Sequence, residues 1–173
     1  MNIIFLDFDG VLNTIHKNTN EDIEERIKIL AEICKEYNCK VVIEASAKNF
    51  INYETMQATS NWLKLIVECF KKYDIKCIGK TPDIQKKLDN GLYRDIWKED
   101  EIIEYLKCHP EVKHYCVIDD DDAPIFVGKS DLDKVRDHLV KTIYYSNNSE
   151  EEGLLPIHKN EVGKILKLER EIY

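Results

Sequence analysis

Two aspartates one residue apart, Asp7 and Asp9 in Asp7-Phe8-Asp9-Gly10-Val11-Leu12-Asn13, directly follow the apolar run Ile3-Ile4-Phe5-Leu6. A short apolar run bounded by turn residues reads as a buried strand. Both carboxylates then stand at its C-terminal end, where they can share one face of a site. One carboxylate there can attack phosphorus while the other moves protons. A dianionic phosphate repels a carboxylate, so this chemistry needs a cation between them. Magnesium, which prefers hard oxygen ligands in octahedral geometry, suits that place. Asp9-Gly10 alone would also suit a plain turn, and the partners found downstream argue for more than that.

Those partners need elements to carry them. Apolar segments near 3–6, 41–44, 75–78, 115–118 and 140–144 read as strands, and helical stripes alternate with them. Ile23, Ile27, Leu30, Cys34 and Tyr37 recur at spacings of four and three, with Thr19 or Asn20 available as the cap. Trp62, Leu65, Ile66, Cys69, Phe70 and Tyr73 form a second stripe, Ile102, Ile103 and Leu106 a third, and Val162, Ile165, Leu166 and Ile172 a last one. Ser130 to Leu139 reads as a weaker helix opened by a Ser130/Asp133 capping box. Strands alternating with helices imply a mostly parallel five-stranded sheet covered on both faces, a three-layer α/β/α, Rossmann-like domain. In such sheets the ligand sits beyond the carboxyl ends of the strands. Asp7, Ser46, Lys80 and Asp119 each follow a predicted strand, so four separate segments converge on one site.

Composition sets bounds on this reading. With 173 residues, 43% hydrophobic and 34% charged, the chain suits one globular domain over 1–173. No apolar run reaches membrane-spanning length, and the N-terminus lacks the pattern of a signal peptide. Six cysteines without a CxxC pair read as reduced thiols of a cytoplasmic protein. Cys108, His109, His114 and Cys116 could be drawn as a zinc site, but Cys116 lies inside a predicted strand and ordinary roles are favoured. A net charge of −8 argues against a surface that coats nucleic acid. It leaves open a nucleic-acid end as substrate, because a metal ion and a few lysines can supply local positive charge.

The residues resemble the haloacid dehalogenase superfamily of aspartate-nucleophile phosphohydrolases. The opening FLDFDGVLN is similar to its first motif, KVVIEAS (Lys40 to Ser46) to its second, and VIDDDD (Val117 to Asp122) to its acidic fourth. The third motif is a lone basic residue. Lys98, in WKEDEIIEYL, matches the arrangement of polynucleotide 3′-phosphatases, and Lys80, in GKTP, is the alternative. GKTP, a basic residue before an EI-containing helix, the DD motif, LVKT and GLLP also resemble small capless domains associated with RNA-repair proteins, over Ile3 to about Ile165. That group often carries a serine-rich stretch ending in Trp-Arg at the second motif, where this chain has Glu44-Ala45-Ser46-Ala47-Lys48. The exchange puts Glu44 near the expected phosphate.

The resemblance implies roles. Asp7 would be the nucleophile, Asp9 the general acid and base, Ser46 a donor to a phosphoryl oxygen and Lys98 the neutralising cation. Gly10, Ser46, Ala47 and Lys80 would line the phosphate. Asp7, Asp9 (through its backbone carbonyl), Asp119 and Asp120 would hold Mg2+. Phosphatases of the superfamily carry the second aspartate and the dehalogenases lack it, which favours phosphoryl chemistry. Neither the loop Asn13 to Asn20 nor the stretch 81–97 is long enough for a folded cap. Tyr53 to Asn61, and Tyr93 and Arg94, could flank the mouth of the site. The expectation is a capless, magnesium-dependent phosphomonoester hydrolase, with a nucleic-acid 3′-phosphate as first substrate. A nucleotide or small metabolite is the second. The alternatives are a catalytically silent phosphate-binding domain and phosphoryl transfer to an acceptor other than water.

Overall fold

The apolar run behind the aspartates forms β1 (Asn2–Leu6) at the centre of a five-stranded sheet. The structure is a computed structural model that describes residues 1–87, 93–95, 98–121 and 133–168. In chain order, β1 is followed by α1 (Asn20–Tyr37), β2 (Cys39–Ile43), the short hairpin β3 (Ile51–Asn52) and β4 (Gln57–Ala58), and α2 (Asn61–Lys72). Then come β5 (Cys77–Lys80), a second hairpin of β6 (Gln85–Lys87) and β7 (Tyr93–Asp95), and α3 (Lys98–Cys108). The chain continues through β8 (His114–Asp119), α4 (Asp133–Arg136), β9 (Leu139–Lys141) and α5 (His158–Leu168).

The sheet order is β5-β2-β1-β8-β9 and every pairing in it is parallel. Strand order therefore reverses at β1, between β2 and β8, which is where such sheets open a crevice. Side-chain alternation divides the core in two. Ile4, Leu6, Val41, Ile43, Cys116 and Ile118 face α1, α2 and α5. Ile3, Phe5, Val42 and Val117 face the other way, onto Ile102 and Tyr105 of α3 and Val135 of α4. Ile3, Ile4, Phe5 and Leu6 are wholly buried, each contributing about 1.5–3 kcal/mol from burial. A strand apolar on both faces is what a doubly covered parallel sheet requires.

The expected α/β fold is present, with local differences. α1 is capped by Thr19, whose hydroxyl accepts from Asp22 N while Asp22 accepts from Thr19 N. The third strand begins at Cys77 rather than 75, because Ile75 N donates to Phe70 O and closes off α2 instead. The last strand stops at Lys141; Thr142 N still donates to Asp119 O, and the Thr142 hydroxyl donates to Gly10 O. The hairpins β3–β4 and β6–β7 carry only two or three residues per strand, too short to show a period. Tyr93 and Arg94 lie in β7. The weak helix is the four-residue α4, and Ser130 and Ile172 lie outside the described residues. All six cysteines are unbridged, and Cys116 is buried in β8. No helix among the described residues is long and apolar enough to cross a membrane.

The loop after β1 is held from behind by Arg26 of α1. Its buried guanidinium donates to Leu12 O (3.1 Å), Lys17 O (2.8 Å), Thr14 Oγ1 (3.4 Å) and Glu152 O (3.1 Å). Glu152, itself fully buried, accepts from His16 N and Ser146 N. Gly153 takes φ +74°, and a Cβ there would overlap the guanidinium. Arg26→Met would keep most of the stem's packing and leave the buried carbonyls of Leu12 and Glu152 without this donor. We expect a loss of about 3 kcal/mol in unfolding free energy, the scale of removing a charged donor from buried acceptors. Urea denaturation measures it, and a loss below about 1 kcal/mol would show that water replaces the guanidinium.

Candidate active site

β1 delivers Asp7 to the carboxyl edge of the sheet between its two neighbours. Asp7 N donates to Ile118 O (3.1 Å), and Glu44 N donates to Leu6 O (2.8 Å). Asp7 thus stands beside Asp119, the last residue of β8. Both carboxylates are buried, Asp119 completely. Asp7, Asp119 and Asp120 each offer an oxygen within 4.8 Å of the others. Phe8 N fixes Asp7 Oδ1 at 2.7 Å, and Asp121 N fixes Asp119 Oδ1 at 2.9 Å. Into this group reaches Lys98, the first residue of α3, with Nζ 2.5 Å from Asp7 Oδ2 and 2.7 Å from Asp119 Oδ2.

One ammonium serves three acids, and the titration behaviour follows. Burial, with Asp119 alongside, pushes Asp7 from 3.8 up to about 7 despite Lys98. Burial raises Asp119 against the pull of Lys98, and burial together with Asp7 raises Asp120. Burial disfavours the charge on Lys98, but Asp7 and Asp119 outweigh it and hold the ammonium above its ordinary range. A second cation would relieve the remaining charge. Three clustered carboxylates, with hard oxygen donors only, fit a magnesium-like ion better than a softer one.

The loop between Asp7 and α1 is built to pass close by. Val11 N, Leu12 N and Asn13 N all turn back to Phe8 O. Gly10 has φ +74°, and a Cβ there would collide with the Asp120 carboxyl; glycine meets both demands. Gly10 N donates to Asn13 O (2.8 Å), and its carbonyl accepts from Thr142 Oγ1 (2.7 Å). Its N–H is therefore engaged within the loop and its carbonyl by the segment after β9. Asp9 is exposed, outside the carboxylate cluster, and accepts from Asn13 Nδ2 at 2.8 Å.

The remaining sequence candidates separate. Ser46 is exposed at the start of a 3₁₀ turn, 46–50, that leaves β2 next to Asp7, and Ala47 packs against the core. Lys80 ends β5, two strands away from β1, and bonds Asn49 and Asp83. Lys98, not Lys80, touches Asp7. Asp121 follows the cluster through its backbone, and Asp122 lies outside the described residues.

Glu44 is not an open carboxylate. It is buried and accepts from Thr81 Oγ1, and Lys48 Nζ stands 3.8 Å away. Lys48, buried as well, also reaches Thr81 Oγ1 (3.0 Å) and Glu101 Oε2 (2.5 Å). Sequence reasoning singled out neither Lys48, Thr81 nor Glu101 for the site. Its one available signal was the four-residue spacing of Glu44 and Lys48, which outside a helix says little. Thr142, just after β9, clamps Gly10 and Asp119; its segment LVKT belongs to the resemblance, but no role in the site was assigned to it.

A family model of the HAD domain in Swiss Army Knife RNA repair proteins matches residues 3–147. No curated protein and no solved structure matches the chain.

Burial pushes Glu44 from 4.5 up to about 8, with Lys48 and Thr81 pulling the other way. Between those values the folded protein keeps a proton that the unfolded chain has lost. Stability from this group therefore falls as pH rises from about 4.5 to about 8. Glu44→Gln lacks the ionisation, so its Tm relative to wild type should climb steadily across that window, whatever fixed offset the amide brings. Thermal scans at pH 5, 6.5 and 8 test this, and a Tm difference flat in pH would show that Glu44 is ionised throughout.

Proposed function

The chain belongs to the family of HAD domains in Swiss Army Knife RNA repair proteins, and from that premise we propose that it is a magnesium-dependent phosphomonoester hydrolase working through an aspartyl-phosphate on Asp7. The favoured substrate is a phosphorylated nucleic-acid end, a 3′-phosphate first. The observation that carries this reading is the ammonium of Lys98 set between Asp7 and Asp119, with Asp120 in the same cluster.

Attack of an Asp7 carboxylate oxygen on phosphorus forms the new P–O bond as the bond to the leaving oxygen breaks. Asp9 donates a proton to that oxygen, then takes one from the water that hydrolyses the acyl phosphate, and inorganic phosphate departs. Its exposure allows this exchange with solvent and substrate. Lys98 offsets the charge of the transferring group, and the Ser46 hydroxyl, at the start of its turn, donates to a phosphoryl oxygen. Asp7, Asp119 and Asp120, with the Asp9 carbonyl, would hold the magnesium ion, which supplies further charge neutralisation when bound.

Two features favour a large substrate over a small metabolite. The family is that of HAD domains in RNA repair proteins. Among the described residues, the segments inserted after β1, β2 and β5 are a loop, a short turn and two short hairpins, and none of them is a folded cap over a small molecule. The silent-domain alternative drew its support from Glu44, and Glu44 spends its contacts on Thr81 and Lys48.

Phosphate release from p-nitrophenyl phosphate and a 3′-phosphorylated oligoribonucleotide, with and without magnesium, is the test. We expect magnesium-dependent turnover, lost in Asp7→Asn, reduced about 10²–10⁴-fold in Asp9→Asn, and higher in kcat/KM on the oligonucleotide. Failure across a wide panel of phosphomonoesters would sink the hydrolase reading. Magnesium should also raise Tm by mass action on the folded state. Asp119→Asn should lose that rise, and an undiminished rise would place the ion elsewhere.

A further inference from the structure

Lys48 is only 5% exposed, and its ammonium is ringed by oxygens from separate segments. Nζ lies 2.5 Å from Glu101 Oε2, 3.0 Å from Thr81 Oγ1, 3.4 Å from Pro82 O, 3.4 Å from Asp83 Oδ1 and 3.8 Å from Glu44 Oε2. Thr81 bridges the group in the one way a hydroxyl can, accepting from Lys48 and donating to Glu44. The Lys48 carbonyl is used too, accepting from Tyr53 Oη at 2.8 Å and so tying in the β3–β4 hairpin. Burying an ammonium is costly unless it is fully paired, so an assembly this complete asks for a reason.

The reason lies in what the partners carry. Lys48 belongs to the turn that opens with Ser46. Glu101 sits one helical turn beyond Lys98, on the same side of α3. The Lys48–Glu101 pair therefore joins the segment bearing the proposed phosphoryl-binding hydroxyl to the segment bearing the proposed phosphoryl-binding cation. We infer that Lys48 is a positioning residue: through Glu101 it sets the first turn of α3, and hence Lys98, against the Ser46 turn. This rests on the hydrolase reading above.

The pair supplies something that Lys98 cannot supply for itself. Among the described residues, Lys98 bonds Asp7 and Asp119. The charge of Asp7 changes when it is esterified, so that anchor weakens in the very step that needs Lys98 in place. Lys48 and Glu101 touch no reacting group, so esterification of Asp7 removes neither partner of this pair. Two donors that must meet one phosphoryl group tolerate little drift, since about 1 Å of misplacement can cost about 100-fold in rate.

The test uses the whole chain with Lys48→Met, Glu101→Gln and the double variant. Steady-state kinetics on p-nitrophenyl phosphate and the oligonucleotide should show kcat lowered between about tenfold and 100-fold in each single variant, with KM changed less than about threefold. The double variant should be no worse than the poorer single, because both remove one interaction. A role in stability alone would lower Tm and leave kcat of the folded protein within twofold of wild type, which would overturn the proposal. Multiplying losses in the double variant would overturn it as well. Should Lys48→Met fail to fold, Glu101→Gln, which keeps the side chain's shape, carries the comparison. Amide exchange separates this proposal from the hydrolase reading, because it needs no turnover. If wild type hydrolyses nothing, faster exchange at 98–102 in Glu101→Gln still upholds the link, and unchanged exchange there rejects it.

Discussion

Three carboxylates share one ammonium at the carboxyl edge of the sheet, and the surrounding structure is arranged to hold that costly assembly. Like charges a few ångströms apart and removed from water repel strongly; burial first, and the neighbouring acids after it, raise the pKa values of Asp7, Asp119 and Asp120. Left to relax, such groups would swing apart or take up protons. They do not separate because each is fixed by backbone. Asp7 is the residue after a fully buried strand, with Phe8 N on its carboxylate. Asp119 ends the neighbouring strand, with Asp121 N on its own. Asp120 is closed in by a glycine whose missing Cβ leaves it room. The apolar burial of β1 and β8 thus provides the free energy that keeps the acids together.

The same logic explains why supporting contacts come from so far along the chain. Thr142 in the segment after β9 holds Gly10, and Arg26 in α1 holds the rest of the loop from beneath. Glu152, close to the start of α5, locks His16 and Ser146. Each is a polar group buried with its partners satisfied, and each draws on a different element. A parallel sheet makes this possible, because its crossovers return every strand's carboxyl end to one edge.

What could be read from the chain divides along a physical line. The strands, the long helices and the acids were legible because buried runs and stripes have a period, and because Asp7 and Asp119 stand directly at the ends of such runs. Lys98 and Lys80 could not be separated by spacing alone, since contact with Asp7 depends on where α3 begins in space. The Lys48 group was opaque for the same reason: Glu44, Lys48, Thr81 and Glu101 meet only after β2, β5 and α3 have docked. Glu44, read as a charge near the phosphate, is instead a buried partner of Thr81 and Lys48. Arg26 was within reach, since it falls three residues after Ile23 and four before Leu30, on the apolar face of α1. A charge on that face signals a buried donor with waiting acceptors.

The net charge of −8 opposes the polyanionic substrate proposed, and the size of that conflict follows from where the charges lie. Non-specific binding along a nucleic acid depends on many lysine and arginine contacts with phosphates. A hydrolase that removes one terminal phosphate needs positive charge only where that phosphate sits. Exposed acids more than about 8–10 Å away are largely screened at physiological ionic strength, while partly buried groups are screened much less. Lys98, with 21% of its side chain exposed, keeps most of its field, and a metal ion beside it would add more. On the proposed reading, the acidic surface weakens holding of the strand as a whole and leaves capture of the end intact. That combination favours release of the dephosphorylated end, whose terminal charge, the one part the site attracts, is gone.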